Sequence, residues 1–438
     1  MYRSTGYVKL RKMSRLLYTL LFYFFMPLIL MRLLWMSRKE PLYRYRIRER
    51  FGWVSNSELQ GDSRSLIWVH AVSAGETNAA ATLVRRLTDK GHRVWLTNTT
   101  ATGRQRVRSL FGDHCLHSFV PYDLPDALSR FFNRVQPSLL ILIDTELWPN
   151  MIHVAERRGV PVALVNGRIS KASHLRYRRI QALVKPMLGA LSLVAVQSAA
   201  HRERMLALGA REECVHVTGS IKFDVELPPD LGEGTRLFRR FSQDRPVMLG
   251  ASTHYGEETA LLTAFVAARR ACPTLLLVLA PRHPARADAV HAEAAQHGFS
   301  CIRRTELEHP QEITTSDVLL VDTIGELLFC YGIANVAFVG GSLARVGGHN
   351  PIEALLLKVP VMMGPHLWDI QDIADQLLSA GAMFGVKDAN QCAEFARRML
   401  TDNSGRDEVI LRAEQIMDAN RGALDRTVEL LEEVRAEQ

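Results

Sequence analysis

From residue 66 onward the chain repeats one pattern: a short apolar run, a few small or polar residues, then a stretch with helical periodicity. Strand-like runs fall at residues 66–70, 94–97, 139–143, 162–165 and 193–196, with helical stretches near 77–90, 124–135, 151–158 and 175–188. Wholly apolar strands alternating with helices predict a parallel sheet covered on both faces. A Pro-rich break, Leu227-Pro228-Pro229-Asp230, interrupts the series. A second series then begins, with strand candidates at 247–251, 274–280, 318–321, 335–339, 359–363 and 383–386, and a charged amphipathic helix from 407 to 437 closes it. The expected architecture is therefore α/β with two Rossmann-like domains, over residues 51–228 and 229–405. An N-terminal arm (1–50) precedes them and a C-terminal helix (406–438) follows.

The arm differs from the rest in charge. Residues 1–50 hold 12 Lys and Arg against 2 Asp and Glu, a net of +10; the whole chain carries +8, which leaves −2 for the other 388 residues. A near-neutral body with one basic arm does not resemble a nucleic-acid binder, which spreads basic residues over its folded surface. Residues 16–31 carry no charge and are rich in Leu, Phe and Tyr. Sixteen residues fall short of the ~20 that a spanning helix uses, and Pro27 interrupts them. Arg3, Lys9, Arg11, Lys12 and Arg15 lie before this run, and Arg32, Arg38, Lys39, Arg44, Arg46, Arg48 and Arg50 follow it. No small-residue cleavage site follows either, which counts against a signal peptide. The arm reads as a membrane anchor, spanning or lying in an anionic leaflet, that holds the body on the cytoplasmic side. The six cysteines are scattered without a C-x-x-C, which fits a reducing compartment and argues against a zinc site.

In parallel sheets of this type ligands gather beyond the carboxyl ends of the strands. After the run at 66–70 comes Ala71-Val72-Ser73-Ala74-Gly75-Glu76, a small-residue loop ending in a carboxylate at a helix start. Glu76 is either a first-turn residue favoured by the helix dipole or a general base. Ser73 on this loop, and Arg104 beyond the strand at 94–97, are candidates to hold the substrate. Asp144-Thr145-Glu146-Leu147-Trp148-Pro149-Asn150 follows the run at 139–143; Asp144 suits a cap, and Glu146 is harder to assign to structure. In the second series Val339-Gly340-Gly341-Ser342 leads through Gly347-Gly348-His349 to Asn350-Pro351-Ile352-Glu353. Here Asn350 is an expected N-cap, Pro351 the first helical position and Glu353 the third, with glycine N–H groups free for a phosphate. The plainer alternative is a turn and a capping box. Two such domains suggest the B-type glycosyltransferase architecture, with a cleft between halves and the nucleotide in the second.

Six motifs in order resemble one family. They are Trp68-Val69-His70-Ala71-Val72-Ser73-Ala74-Gly75-Glu76, the 144–150 segment, Ile221-Lys222-Phe223-Asp224, Pro281-Arg282-His283-Pro284, Asp322-Thr323-Ile324-Gly325-Glu326-Leu327 and Gly347-Gly348-His349-Asn350-Pro351-Ile352-Glu353. Together they are similar to the signature set of 3-deoxy-D-manno-octulosonic acid (Kdo) transferases. Ala74 stands where the family usually has a larger aliphatic residue, and Asp144 where it often has Glu. The resemblance implies a membrane-attached, inverting glycosyltransferase of Gram-negative lipopolysaccharide synthesis on the cytoplasmic face of the inner membrane. Its donor would be CMP-Kdo and its acceptor a tetraacylated lipid A precursor, with no cofactor and no metal. It implies Glu76 as the base, with Glu146 and Lys222 as further catalytic groups. It also implies a CMP site of Arg282, His283, Ile324, Gly325, Glu326, Asn350, Pro351, Ile352 and Glu353. The competing readings are another sugar-nucleotide enzyme, such as an epimerase or a lipid A disaccharide synthase, and a non-catalytic membrane scaffold. The pattern specifies no oligomeric state.

Overall fold

The computed structural model describes residues 2–38, 41–55, 64–112, 114–225, 227–307 and 316–437; Lys39, one of the arm's basic residues, lies outside them. The chain divides into two compact units, Met1–Asp224 with Asn420–Gln438, and Val225–Ala419.

The first unit is built on a seven-stranded parallel sheet: β1 (Leu66–His70), β2 (Arg93–Asn98), β3 (Leu116–Phe119), β4 (Leu139–Ile143), β5 (Val162–Gly167), β6 (Leu193–Val196) and β7 (Val215–Val217), in the order β3-β2-β1-β4-β5-β6-β7. Side chains alternate between the faces of the sheet. Leu66 and Trp68 enter one core with Phe131, Phe132 and Met187, while Ile67 and Val69 enter the other with Leu83 and Leu87. That two-sided burial is why β1 and β4 read as unbroken apolar runs. The second unit has its own parallel sheet: β8 (Val247–Thr253), β9 (Leu276–Pro281), β10 (Cys301–Arg303), β11 (Val318–Leu320), β12 (Val336–Val339), β13 (Val361–Met363) and β14 (Met383–Gly385), ordered β10-β11-β9-β8-β12-β13-β14. Its core gathers Leu261, Phe265, Leu277, Leu279, Phe338 and Phe395.

Three strands are absent from the sequence reading: β3, β7 and β10. All three are edge strands, and β7 and β10 carry mostly half-buried or exposed residues, so no continuous apolar run marks them. The C-terminal segment also departs from expectation. In place of one helix over 407–437 there are two, Asn403–Asn420 and Ala423–Ala436, broken at Gly422, which has φ +74°. The carboxylate of Asp224 accepts hydrogen bonds from the N–H groups of Gly422 (2.9 Å) and Leu424 (2.6 Å), starting the last helix. That helix packs Leu424, Val428 and Leu431 into the first unit's core, so the chain ends in the unit where it began.

The N-terminal helix runs over Tyr2–Met36 with Pro27 inside it, and Met13–Met36 is long and apolar enough to cross a membrane. It is no core helix: Leu17, Leu20, Phe24 and Leu28 are each more than half exposed, Phe24 at 73%.

Candidate active site

An open parallel sheet forms a crevice where the strand order reverses, beyond the carboxyl ends of the strands. In the first unit this point lies between β1 and β4, which are hydrogen-bonded neighbours. The loop after β1 carries Ser73 and Glu76, and the loop after β4 carries Asp144 and Glu146. The topology therefore gathers three carboxylates at one edge.

Ser73 caps the helix Ala74–Asp89, and its Oγ stands 3.3 Å from Glu76 Oε1. The other oxygen of Glu76 accepts the Val72 N–H at 2.6 Å. Glu76 thus takes the first-turn role and remains half-buried among like charges. Burial pushes its carboxyl up to about 7; the charges of Glu146 and Asp144 add to the rise, and the Val72 and Ser73 hydrogen bonds oppose it. Glu146 is likewise raised, by burial first and by Asp144 second, against a hydrogen bond from the Trp148 indole (3.1 Å). A carboxyl titrating near neutrality is suited to general base work, because it is available unprotonated and still holds a proton appreciably.

Asp144 and Asn166 follow β4 and lie in β5, and both are buried in the left-handed region, at φ +58° and +59°. Asn166 Nδ2 donates to Asp144 Oδ1 at 2.6 Å, and Ser220 Oγ donates to Asn166 Oδ1 at 3.1 Å. Lys222 Nζ and Arg168 Nε each stand 3.8 Å from Asp144 Oδ2. Lys222 is therefore drawn to the same edge by the turn Ile221–Phe223. In sequence Asn166 is one of the polar strand-end residues without an assigned role; its signal is an Asn-Gly pair at a strand end, where Asn tolerates the left-handed region. Asn166→Ala loses the bond to a charged acceptor and places an alanine at φ +59°. The expected cost is about 3 kcal/mol in urea unfolding. Asn166→Gly, relieved of the backbone penalty, should recover about 1 kcal/mol of that.

Arg104 does not reach this edge. It is buried, 3.7 Å from Glu49 Oε2 and over the Phe119 ring, so the protein itself supplies its counter-charge. The ion pair that Arg104 makes is an internal one.

In the second unit the order reverses between β8 and β12. Here the glycine loop differs from expectation. Glu257, 1% exposed, directs its carboxylate into the loop and accepts the N–H groups of Gly341, Ser342, Leu343 and Ala344 at 2.9–3.0 Å, together with that of His254 (2.9 Å). The donors read as a phosphate cradle already hold an anion belonging to the protein. The helix also begins later than expected, at Ile352 with Pro351 as its cap residue. Asn350 Oδ1 accepts from Ile352 N at 3.1 Å, and the capping box of the plainer alternative does not form.

Beyond β8 and β12, His254 Nε2 and His349 Nε2 lie 2.9 Å apart with nearly parallel rings, and the His283 ring meets His254 edge-on. One nitrogen of the close pair must accept, so both imidazoles cannot be protonated there. Burial, then the neighbouring His254, Arg282 and His283, lowers His349 to about 4. Glu353 is half-buried, and burial alone raises its carboxyl. Ile324 is 88% exposed beside Gly325 (φ +95°), whereas Glu326 is held by Arg304 (3.0 Å) and by the Thr323 hydroxyl. The expected nucleotide residues thus fall on loops after β9, β11 and β12, all at the carboxyl edge of one sheet.

Two Rossmann-like parallel-sheet units, with carboxylates at the switch point of one and basic and histidine residues at the carboxyl edge of the other, have the architecture of the B-type glycosyltransferases. The fold alone is shared with UDP-GlcNAc 2-epimerase from Neisseria meningitidis bound to UDP-GlcNAc (TM-score 0.55, 12% identity, 84% of this chain and 100% of that one). The family model described as 3-deoxy-D-manno-octulosonic-acid transferase (kdotransferase) matches residues 45–225. The 3-deoxy-D-manno-octulosonic acid transferase of Haemophilus influenzae is 39% identical over 96% of this chain and 98% of its own length. That of Bordetella pertussis is 38% identical over 84% of this chain and 87% of its own. The chain belongs to the 3-deoxy-D-manno-octulosonic acid transferase family, and it is a glycosyltransferase.

Proposed function

We propose that this enzyme transfers Kdo from CMP-Kdo to a hydroxyl of a tetraacylated lipid A precursor, with inversion, at the cytoplasmic face of the inner membrane of a Gram-negative cell. The observation that carries the reading is Glu76, poised at about 7 beside Glu146 and Asp144 at the first sheet's switch point. A sugar hydroxyl is a poor nucleophile until its proton is taken. Glu76 accepts that proton as the oxygen attacks the anomeric carbon of Kdo. The bond from that carbon to the phosphate oxygen breaks, and CMP leaves with the electron pair. Positive charge developing on the sugar ring is favoured by the carboxylate of Glu146. Lys222, tethered through Asp144, favours the negative charge that develops on the leaving side. Arg282 and His283 hold the phosphate, Glu353 accepts from ribose hydroxyls, and Ile324, Gly325, Glu326, Asn350, Pro351 and Ile352 frame the nucleotide. The scheme requires neither a metal nor a cofactor.

Mass analysis of the product formed from CMP-Kdo and the precursor tests donor, acceptor and number of additions together. Product mass raised by one or more Kdo units supports the scheme, and turnover with UDP-sugars in place of CMP-Kdo would overturn it. For the nucleotide site, Glu353→Ala should weaken CMP binding about tenfold by calorimetry, the loss of one good hydrogen-bonding carboxylate. Acceptor affinity should change much less; unaltered CMP affinity would remove Glu353 from the site.

A further inference from the structure

From Met13 onward the N-terminal helix has two unlike sides. Toward the first unit, Ser14 donates to the Ala182 carbonyl (3.2 Å), Thr19 to Asn150 (3.1 Å) and Tyr23 to Asp126 (2.6 Å). Further along, Phe22, Met26, Ile29 and Leu30 pack with Tyr122, Leu124 and Ala127. The attachment from Ser14 to Leu30 extends for ~24 Å at 1.5 Å per residue. Leu17, Leu20, Phe24, Leu28 and Met31, spaced for one helical face, point away and are exposed. A helix bound along this length to a polar α/β unit cannot cross a bilayer without carrying that unit into hydrocarbon. Lying in the interfacial plane buries only the apolar side.

Where the helix first meets the unit, cavities of about 590 and 500 Å³ open. Both are lined by Arg15, His153 and Arg157; the first adds Glu156 and the second Arg158. The lining holds three guanidiniums, of which Arg15 donates to Asn150 Oδ1 (3.5 Å) and Arg158 to the Ser129 carbonyl (3.3 Å), and one carboxylate, Glu156, 3.5 Å from His153. Leu183, Pro186 and Met187 in the first cavity, and Leu16 and Val154 in the second, make up apolar wall. Fixed positive charge at the start of an exposed apolar stripe is complementary to one kind of molecule, an anionic head joined to hydrocarbon.

We propose that these cavities bind the phosphate headgroup of an anionic phospholipid of the leaflet, with its acyl chains against Leu16, Leu20 and Phe24. The proposal rests on the reading that the enzyme works at a membrane, and none of the lining residues carries a catalytic or nucleotide role above. It is tested with the full chain on vesicles of phosphatidylcholine, alone and mixed with phosphatidylglycerol. Arg15→Gln/Arg157→Gln should lose about tenfold or more in affinity for the mixed vesicles, with little change on phosphatidylcholine alone. Arg38→Gln/Arg44→Gln, which removes the same charge outside the cavities, should lose severalfold less; equal losses would overturn the proposal in favour of diffuse attraction. Turnover with detergent-dispersed acceptor separates the two lipid sources. Unchanged KM for the acceptor in Arg15→Gln/Arg157→Gln supports the phospholipid. A raised KM would assign the cavities to the acceptor's own phosphate and overturn it. The vesicle measurements stand whether or not Kdo is transferred, so failure of this site and of the proposed reaction are distinguishable.

Discussion

Glu76→Gln should lower kcat/KM by about 10²- to 10⁴-fold while leaving CMP affinity unchanged, because it removes the proton acceptor and keeps the shape of the loop. The same carboxyl sets the acidic limb of the pH profile. With Glu76 titrating at about 7, kcat/KM of the wild type should fall about tenfold per pH unit below that value, and the residual rate of Glu76→Gln should lack this limb. The stability effect has the opposite sense. Glu76 titrates at about 7 in the folded state against an ordinary value of 4.5, so the folded chain binds this proton more tightly than the unfolded one. Its contribution to stability is complete below about 4.5 and is lost as the pH rises through about 7. Glu76→Gln should therefore raise Tm at pH 8 and give no gain at pH 4. Near-normal turnover would sink the base assignment, and a pH-independent Tm difference would sink the account of why the carboxyl is raised.

The second large effect lies in the other unit and concerns folding. Glu257→Ala should destabilise the second unit by about 4 kcal/mol or more. It leaves five loop and helix-start N–H groups without their acceptor, at about 1–3 kcal/mol for each that water cannot reach. Glu257→Gln keeps one carbonyl oxygen but turns an NH₂ toward donors, and it should fall in between. Urea unfolding monitors the stability, and calorimetry with CMP monitors the site. A midpoint equal to wild type would show that water replaces the carboxylate. The neighbouring Glu258 gives a contrast: it pairs with Arg286 at 2.7 and 3.2 Å rather than with backbone.

Much of the fold is legible in the chain because strands buried on both faces must be apolar throughout. β1, β4 and β6 begin and end where their apolar runs do. Three of the four edge strands, β3, β7 and β10, escape the same reading, since a half-exposed strand need not be apolar; β10 has no fully buried residue. Pairing is also invisible locally. Glu257 and Ala344 are 87 residues apart in sequence, so nothing in the glycine loop reveals that its donors are occupied. Arg104 illustrates the converse, a cation beyond a strand end whose partner, Glu49, comes from the arm region.

The order of short apolar runs, by its two-sided burial, determined two parallel α/β units, and six spaced motifs determined the family. Residue type at strand ends singled out Glu76 and Glu146, and the family motifs added Lys222, Arg282 and Glu353. The tertiary structure alone decided which of these act on one another, because strand order sets which loops share a switch point. β4 joins β1 at the centre of its sheet, and this brings Asp144 and Glu146 to Glu76, where their charges add to the rise that burial gives its carboxyl. The same holds for the glycine loop: its composition favours an anion, and only the packing of Glu257 decided which anion it holds.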